Sequence, residues 1–203
     1  MRLKDTPTGY GLISIVLHWL TAIVIVVLLA VGASIKTGNQ HQYEQMLPLH
    51  TSIALTAYVL IWGRIIWRFT VGHPGPLPKQ RGVFFYIGKY SHYVLLVAIG
   101  VMLISGPLMA WSAGIDIPFY DWFTIPAPFA PNQDWFDFLL TVHGSAASVI
   151  AIGVFLHIGG VFKHLIINRD GTFEKMMIPA HEPVLELPQE DLPAPTDAPS
   201  LGG

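Results

Sequence analysis

The chain has 203 residues, of which 52% are hydrophobic and only 12% charged. Soluble globular proteins carry roughly 25% charged residues, so this composition excludes a disordered chain and points to the lipid bilayer rather than water as the solvent. Eleven Lys and Arg against thirteen Asp and Glu leave no basic surplus to hold a phosphate backbone, and a nucleic-acid partner is excluded. With no cysteine, disulfides, thiolate metal sites, iron–sulfur clusters and covalent haem attachment are excluded too; nine histidines remain to hold any buried group.

Four apolar segments follow in chain order. Leu12 to Ile35 runs 24 residues without an acidic or basic side chain. At 1.5 Å per residue that is roughly 36 Å, enough to cross a hydrocarbon core of about 30 Å. A signal peptide would show a shorter run and a small-residue cleavage site, so a first spanning helix is expected. The second segment, about Leu47 to Phe69, meets Arg64 and Arg68 near its end, where long stems can snorkel. The third covers about Phe84 to Trp111, with Lys89 and His92 near its start and Pro107 near its end; the fourth, about Asp137 to Ile167, carries His143, His157 and His164. The expected fold is an all-α integral membrane bundle of four transmembrane helices over residues 8–178.

Basic residues orient this bundle. With the N-terminus inside, ten of the eleven fall on one side, and Lys36 alone lies outside. Both termini are therefore expected on the cytoplasmic side. The outer loop from Ala113 to Trp135 is rich in aromatic residues and proline, and two readings stand for it: an amphipathic element in the interface, or a linker that caps the bundle. Residues 179–203 hold six prolines and five acidic residues and no basic one, the composition of a disordered tail.

The chemistry rests with the histidines, because an ionisable side chain at membrane depth marks function by default. His143 and His157 are fourteen residues apart; at 100° per residue they return to within about 40° of one face, roughly 21 Å apart along the axis. His50 opens the second segment at the level of His143. His18 sits near the level of His157, as does His92, and depth alone does not choose between them. Two cross-helix histidine pairs are thus available. A closed zinc site wants four ligands in a tetrahedron, and neither level offers an acidic or thiol partner; a six-coordinate haem iron wants two ligands on opposite sides of a flat ring. Haem b fits better. Gly144, Ser145, Ala146, Ala147 and Ser148, with Gly153, Gly159 and Gly160, would let a porphyrin approach the backbone, or else serve ordinary small-residue helix packing. Arg64 shares a face with His50 and stands either to neutralise a haem propionate or to snorkel. His164, two turns past His157, is placed either to hydrogen-bond a quinone head or to face solvent. His41, His73 and His181 read as surface residues of loops and tail.

Ser14-Ile15-Val16-Leu17-His18-Trp19, Leu49-His50-Thr51-Ser52, Arg64 with Arg68, Val142-His143 and Leu156-His157 together resemble the bacterial cytochrome b561 family over residues 8 to 178. The resemblance extends to the b-type subunits of membrane formate dehydrogenases and hydrogenases. It implies two non-covalent bis-histidine b haems, the inner one on His18 and His157 and the outer one on His50 and His143. It also favours His18 over His92, and puts His164 near a quinone site.

The implied function is electron transfer across the bacterial inner membrane, exchanging electrons with ubiquinone or menaquinone. The acidic tail suits docking to a dehydrogenase or oxidase subunit. Some members of the family are superoxide:ubiquinone oxidoreductases, but the outer loops here hold Glu44, Asp116, Asp121, Asp134 and Asp137 against Lys36 alone, which would repel that anion. A different class of function also stands: a haem-free membrane protein whose histidines form a proton path or bind a metal.

Overall fold

The computed structural model describes residues 1–71, 74–75 and 82–180. His73, His181 and the acidic tail beyond Ala180 lie outside the described residues. Four helices are long and apolar enough to cross a membrane: α1 (Leu12–Thr37), α2 (Gln40–Thr70), α3 (Val83–Ser112) and α4 (Gln133–Phe162).

The first amide groups of a helix have no partner within it, and here the preceding chain supplies one for each of three. Gly11 N–H donates to Asp5 Oδ1 at 2.8 Å, Leu12 N–H to the Arg2 carbonyl at 3.0 Å and Ile13 N–H to the Leu3 carbonyl at 3.2 Å. The approach is so close at Gly11 that a Cβ there would lie 2.4 Å from the Leu3 carbonyl oxygen. Only glycine fits.

The second helix begins earlier than its apolar run suggests, at Gln40 rather than near Leu47. Asn39 and Gln42 form a capping box, each side chain accepting from the other's amide at 3.0 Å, so the hydrogen-bond ladder closes on polar residues that hydrophobicity does not register. His41 is therefore in the first turn of a helix and not in a loop. Asn132 caps α4 in the same manner through the Trp135 amide at 3.0 Å.

Between α3 and α4 the aromatic loop folds into a hairpin, β1 (Ile117–Phe119) against β2 (Phe123–Ile125), antiparallel with Phe119 opposite Phe123. Ser52 of α2 is fully buried beneath it, donating to the Pro118 carbonyl at 3.2 Å and accepting from the Tyr120 amide at 2.8 Å. Tyr120 takes a left-handed conformation at the turn, φ 48°. Trp122 stands out at 79% exposure while Ile117 is buried. The loop is thus a hairpin docked on α2 that presents aromatic rings outward, as interfacial aromatics are placed.

α1 packs along α2 and α3 along α4. The two pairs join at a small core of Ala57 and Ile61 from α2 and Leu103 from α3, flanked by Val24, Trp62 and Ile99. Large apolar side chains elsewhere face outward, Val59 at 78% and Phe155 at 76% exposure. In water this would be a severe liability; in lipid, helices associate by close packing and polar contacts instead. At the end of the bundle where the chain begins, the N-terminal segment clasps the last described residues: Arg2 N–H donates to the Ala180 carbonyl at 2.9 Å, and Ala180 N–H to the Tyr10 carbonyl at 2.8 Å. Trp19 Nε1–H reaches the Met176 carbonyl at 3.0 Å.

Candidate functional site

Four half-buried imidazoles face one another across the gap between the helix pairs. His18 of α1 and His157 of α4 have ring centroids 6.3 Å apart and planes at 66°. His50 of α2 and His143 of α4 have centroids 6.5 Å apart and planes at 78°. An imidazole nitrogen sits roughly 2 Å from a metal it binds and about 1.2 Å from its own ring centre, so two rings sharing one metal from opposite sides have centroids about 6.4 Å apart. Both separations match that distance.

His92 stands differently. Its ring is edge-on to His157 at 4.9 Å and 89°, too close for a metal between the two. Its Nδ1–H donates to the Gly88 carbonyl at 2.6 Å, which fixes the ring on its own helix.

The surroundings bear on what each pair can hold. At the His50 and His143 pair, Ser105 of α3, almost wholly buried, lies with Oγ 3.1 Å from His143 Nδ1. An Oγ that accepts from Nδ1–H leaves the other nitrogen of His143 a lone pair for a metal. A Cβ on Gly106 would come within 3.3 Å of His143 Cε1. His50 Nδ1 is buried and without a hydrogen-bond partner among the described residues, an arrangement that costs about 1–3 kcal/mol unless some group satisfies it.

At the His18 and His157 pair, Arg64 donates to the His18 carbonyl at 3.2 Å and to His18 Nδ1 at 2.9 Å. A guanidinium only donates, so His18 Nδ1 is the acceptor and the ring proton sits on Nε2. The small residues divide. Gly153 is a helix-packing residue, because a Cβ there would lie 2.7 Å from Leu95 Cδ2 of α3, whereas Gly144, Gly159 and Gly160 face open space. Among the described residues no group of three or more His, Cys, Asp or Glu is gathered as a protein-only metal site requires. Two imidazoles facing one another at this separation suit a flat macrocycle carrying its own equatorial ligands.

Residues 9–178 match the family described as prokaryotic cytochrome b561. The chain belongs to that family. It is also similar to cytochrome b561 homolog 2 of Escherichia coli strain K12, with 32% identity over 183 residues covering 87% of this chain and 95% of the relative. Cytochromes b561 are multi-pass haem b proteins of prokaryotic membranes that carry electrons across the bilayer. The haem-free proton path and the bare metal site are thereby set aside.

His164 lies beyond the end of α4, where the helix widens into a π-helical turn, Lys163–Asn168. Its Nδ1 is 2.7 Å from Asp170 Oδ2. Neither Asp170 nor Ser105 was singled out by sequence reasoning. Ser105 lies in a helix with nothing local to mark it. The Asp170-Gly171 pair is a turn signal that could have shown the chain folding back on His164.

Proposed function

We propose that this cytochrome b561 holds two b haems stacked across the bilayer and passes electrons between them and a membrane quinone. The inner haem is held by His18 and His157, the outer by His50 and His143. The observation that carries this reading is the spacing of the two imidazole pairs, 6.3 and 6.5 Å between centroids. When bound, the haems supply one-electron carriers; the protein's part is to bind, orient and bury them. His92 is a packing neighbour of His157 rather than a ligand.

Arg64 has a defined part in this. Ligation of iron through His18 Nε2 requires the ring proton on Nδ1, and Arg64 must then release that atom. The guanidinium so freed would be available to hold a propionate carboxylate of the inner haem, and charge-assisted bonds of that kind are the strong ones. His164, at the same end of α4, is the group that meets the quinone head. The positive-inside distribution supports a cytoplasmic position for that end and for both termini. The domain is residues 8–178, and the tail from 179 onward is a docking segment for a dehydrogenase or oxidase subunit.

Haem per polypeptide, measured by pyridine haemochrome on the detergent-purified chain, tests the central reading. Two b haems are expected in the parent protein. His143→Ala should keep only the inner haem and His157→Ala only the outer, each with its own component in the reduced-minus-oxidised spectrum. One haem in the parent, or two in either variant, would overturn the pairing.

A further inference from the structure

The turn that ends α4 is built around His164. Arg169, with φ 48°, returns its amide to the His164 carbonyl at 2.8 Å. Gly171 follows at φ 79°, and these two left-handed residues fold Asp170 and Thr172 back against the imidazole. The Asp170 carboxylate is 2% exposed, the imidazole 30%. Oδ1 accepts from the Thr172 hydroxyl at 2.6 Å and its amide at 3.1 Å. Oδ2 lies 2.7 Å from His164 Nδ1, with Asn168 Nδ2 at 3.4 Å. Of the nearby cations, Lys163 is bonded to Asn168 Oδ1 at 3.0 Å, and Arg169 Nε donates to the Ile166 carbonyl at 3.2 Å.

A carboxylate supplied with donors in this way stays ionised and can only accept, so the proton between the two groups belongs to Nδ1. The neutral imidazole is then the Nδ1–H tautomer. The ring's other polar contacts are also at Nδ1, Asn168 Nδ2 at 3.2 Å and the Thr172 hydroxyl at 3.4 Å; among the described residues none is at Nε2, which is the atom left to meet a ligand.

We propose that Asp170 is a positioning residue that locks His164 as the Nδ1–H tautomer, making Nε2 the atom that exchanges protons with the carbonyl oxygen of a quinone. The inference rests on the quinone reading of His164 given above. Reduction of a quinone to the quinol takes two electrons, supplied by the cytochrome, and two protons. For one of them, the Nε2–H bond of the imidazolium breaks, an O–H bond forms on the carbonyl oxygen that Nε2 meets, and the neutral ring takes a new proton from water; the carbonyl oxygen on the opposite side of the quinone takes the second proton from water. Nδ1–H stays on Asp170 throughout, so the ring does not need to turn over between cycles. In the reverse direction Nε2 accepts the quinol proton. The geometry is that of an orienting carboxylate behind a general acid–base histidine.

The test uses the full-length haem-loaded protein in lipid nanodiscs, labelled with 15N-histidine, with His164 assigned through His164→Gln. The parent should show Nδ1 protonated and Nε2 bare in the neutral ring. Asp170→Asn, whose amide can donate to Nδ1, should shift the proton to Nε2; an unchanged tautomer overturns the inference. The same samples are assayed with a short-chain ubiquinol. Asp170→Asn should lower kcat about 10-fold to 100-fold with KM within about twofold and the haem spectrum unchanged. An altered tautomer with undiminished kcat would overturn the positioning role while leaving the quinone reading intact. Full activity in His164→Gln would instead sink the quinone reading, with the tautomer result still standing. Should Asp170→Asn lose haem or fold, Thr172→Val serves in its place: it removes the hydroxyl from the carboxylate and should give a smaller change in the same direction.

Discussion

At the scale of single residues, the partners of the imidazoles set how well each can bind. Ser105 illustrates this, because its hydroxyl lies 3.1 Å from His143 Nδ1. Residues that hold a metal ligand in its tautomer typically account for 10–100-fold in affinity. Ser105→Ala should therefore weaken the outer haem by about that factor and leave the inner haem untouched, read as a selective loss of one spectral component on dilution or mild haem extraction. Equal loss of both would mean that the substitution disturbs the helix pair rather than the ligand. The contrast with His50 is physical: among the described residues its buried Nδ1 has no such partner, so no hydrogen bond at that atom fixes the ring's tautomer. None of this was readable in sequence. A serine in an apolar helix has no periodicity of its own, and its partner is 38 positions away.

At the scale of elements, the turn after α4 makes a prediction about acid. Burial works to raise the Asp170 pKa, but the bonds from the Thr172 hydroxyl, the His164 ring and the Thr172 amide outweigh it and hold the group at about 2, against 3.8 for a free side chain. A group depressed in this way favours the folded turn wherever the unfolded carboxyl would be ionised, above about pH 4, and that contribution fades as pH falls toward 2. The Thr172 amide, which donates to Asp170, should keep its exchange protection down to pH 4 and lose it between 4 and 2. Protection that is flat across that window would mean the carboxylate does not hold the turn. The helices themselves were legible from the apolar runs, because a spanning segment needs length and apolarity and little else. Their ends were less so. The polar head of α2 depends on a capping box, the hairpin on two strands of three residues each, and the π turn on left-handed residues after it; none of these leaves a mark on hydrophobicity.

For the molecule as a whole, the charge distribution and the site geometry have to agree on direction. The histidine spacing along α4 was legible because one helix fixes both rotation and depth. The choice between His18 and His92 was not, since two rings at one depth differ only in how their helices lean. The basic residues predict a direction across the membrane, and the chain's lack of cysteine makes it easy to measure. Lys36, in the last turn of α1, and Arg169, just past the π turn, are the informative positions, one at each end of the bundle. With the N-terminus inside, Lys36→Cys should react with a membrane-impermeant maleimide in intact cells, and Arg169→Cys should react only after the membrane is opened. That outcome puts the His18 and His157 pair, together with His164 and Asp170, on the side from which protons are drawn when quinone is reduced. The opposite pattern would move proton uptake to the outer face: electrons would still reach the quinone through the His50 and His143 pair and then the His18 and His157 pair, but they would cross the membrane outward and the charge built across it would have the opposite sign.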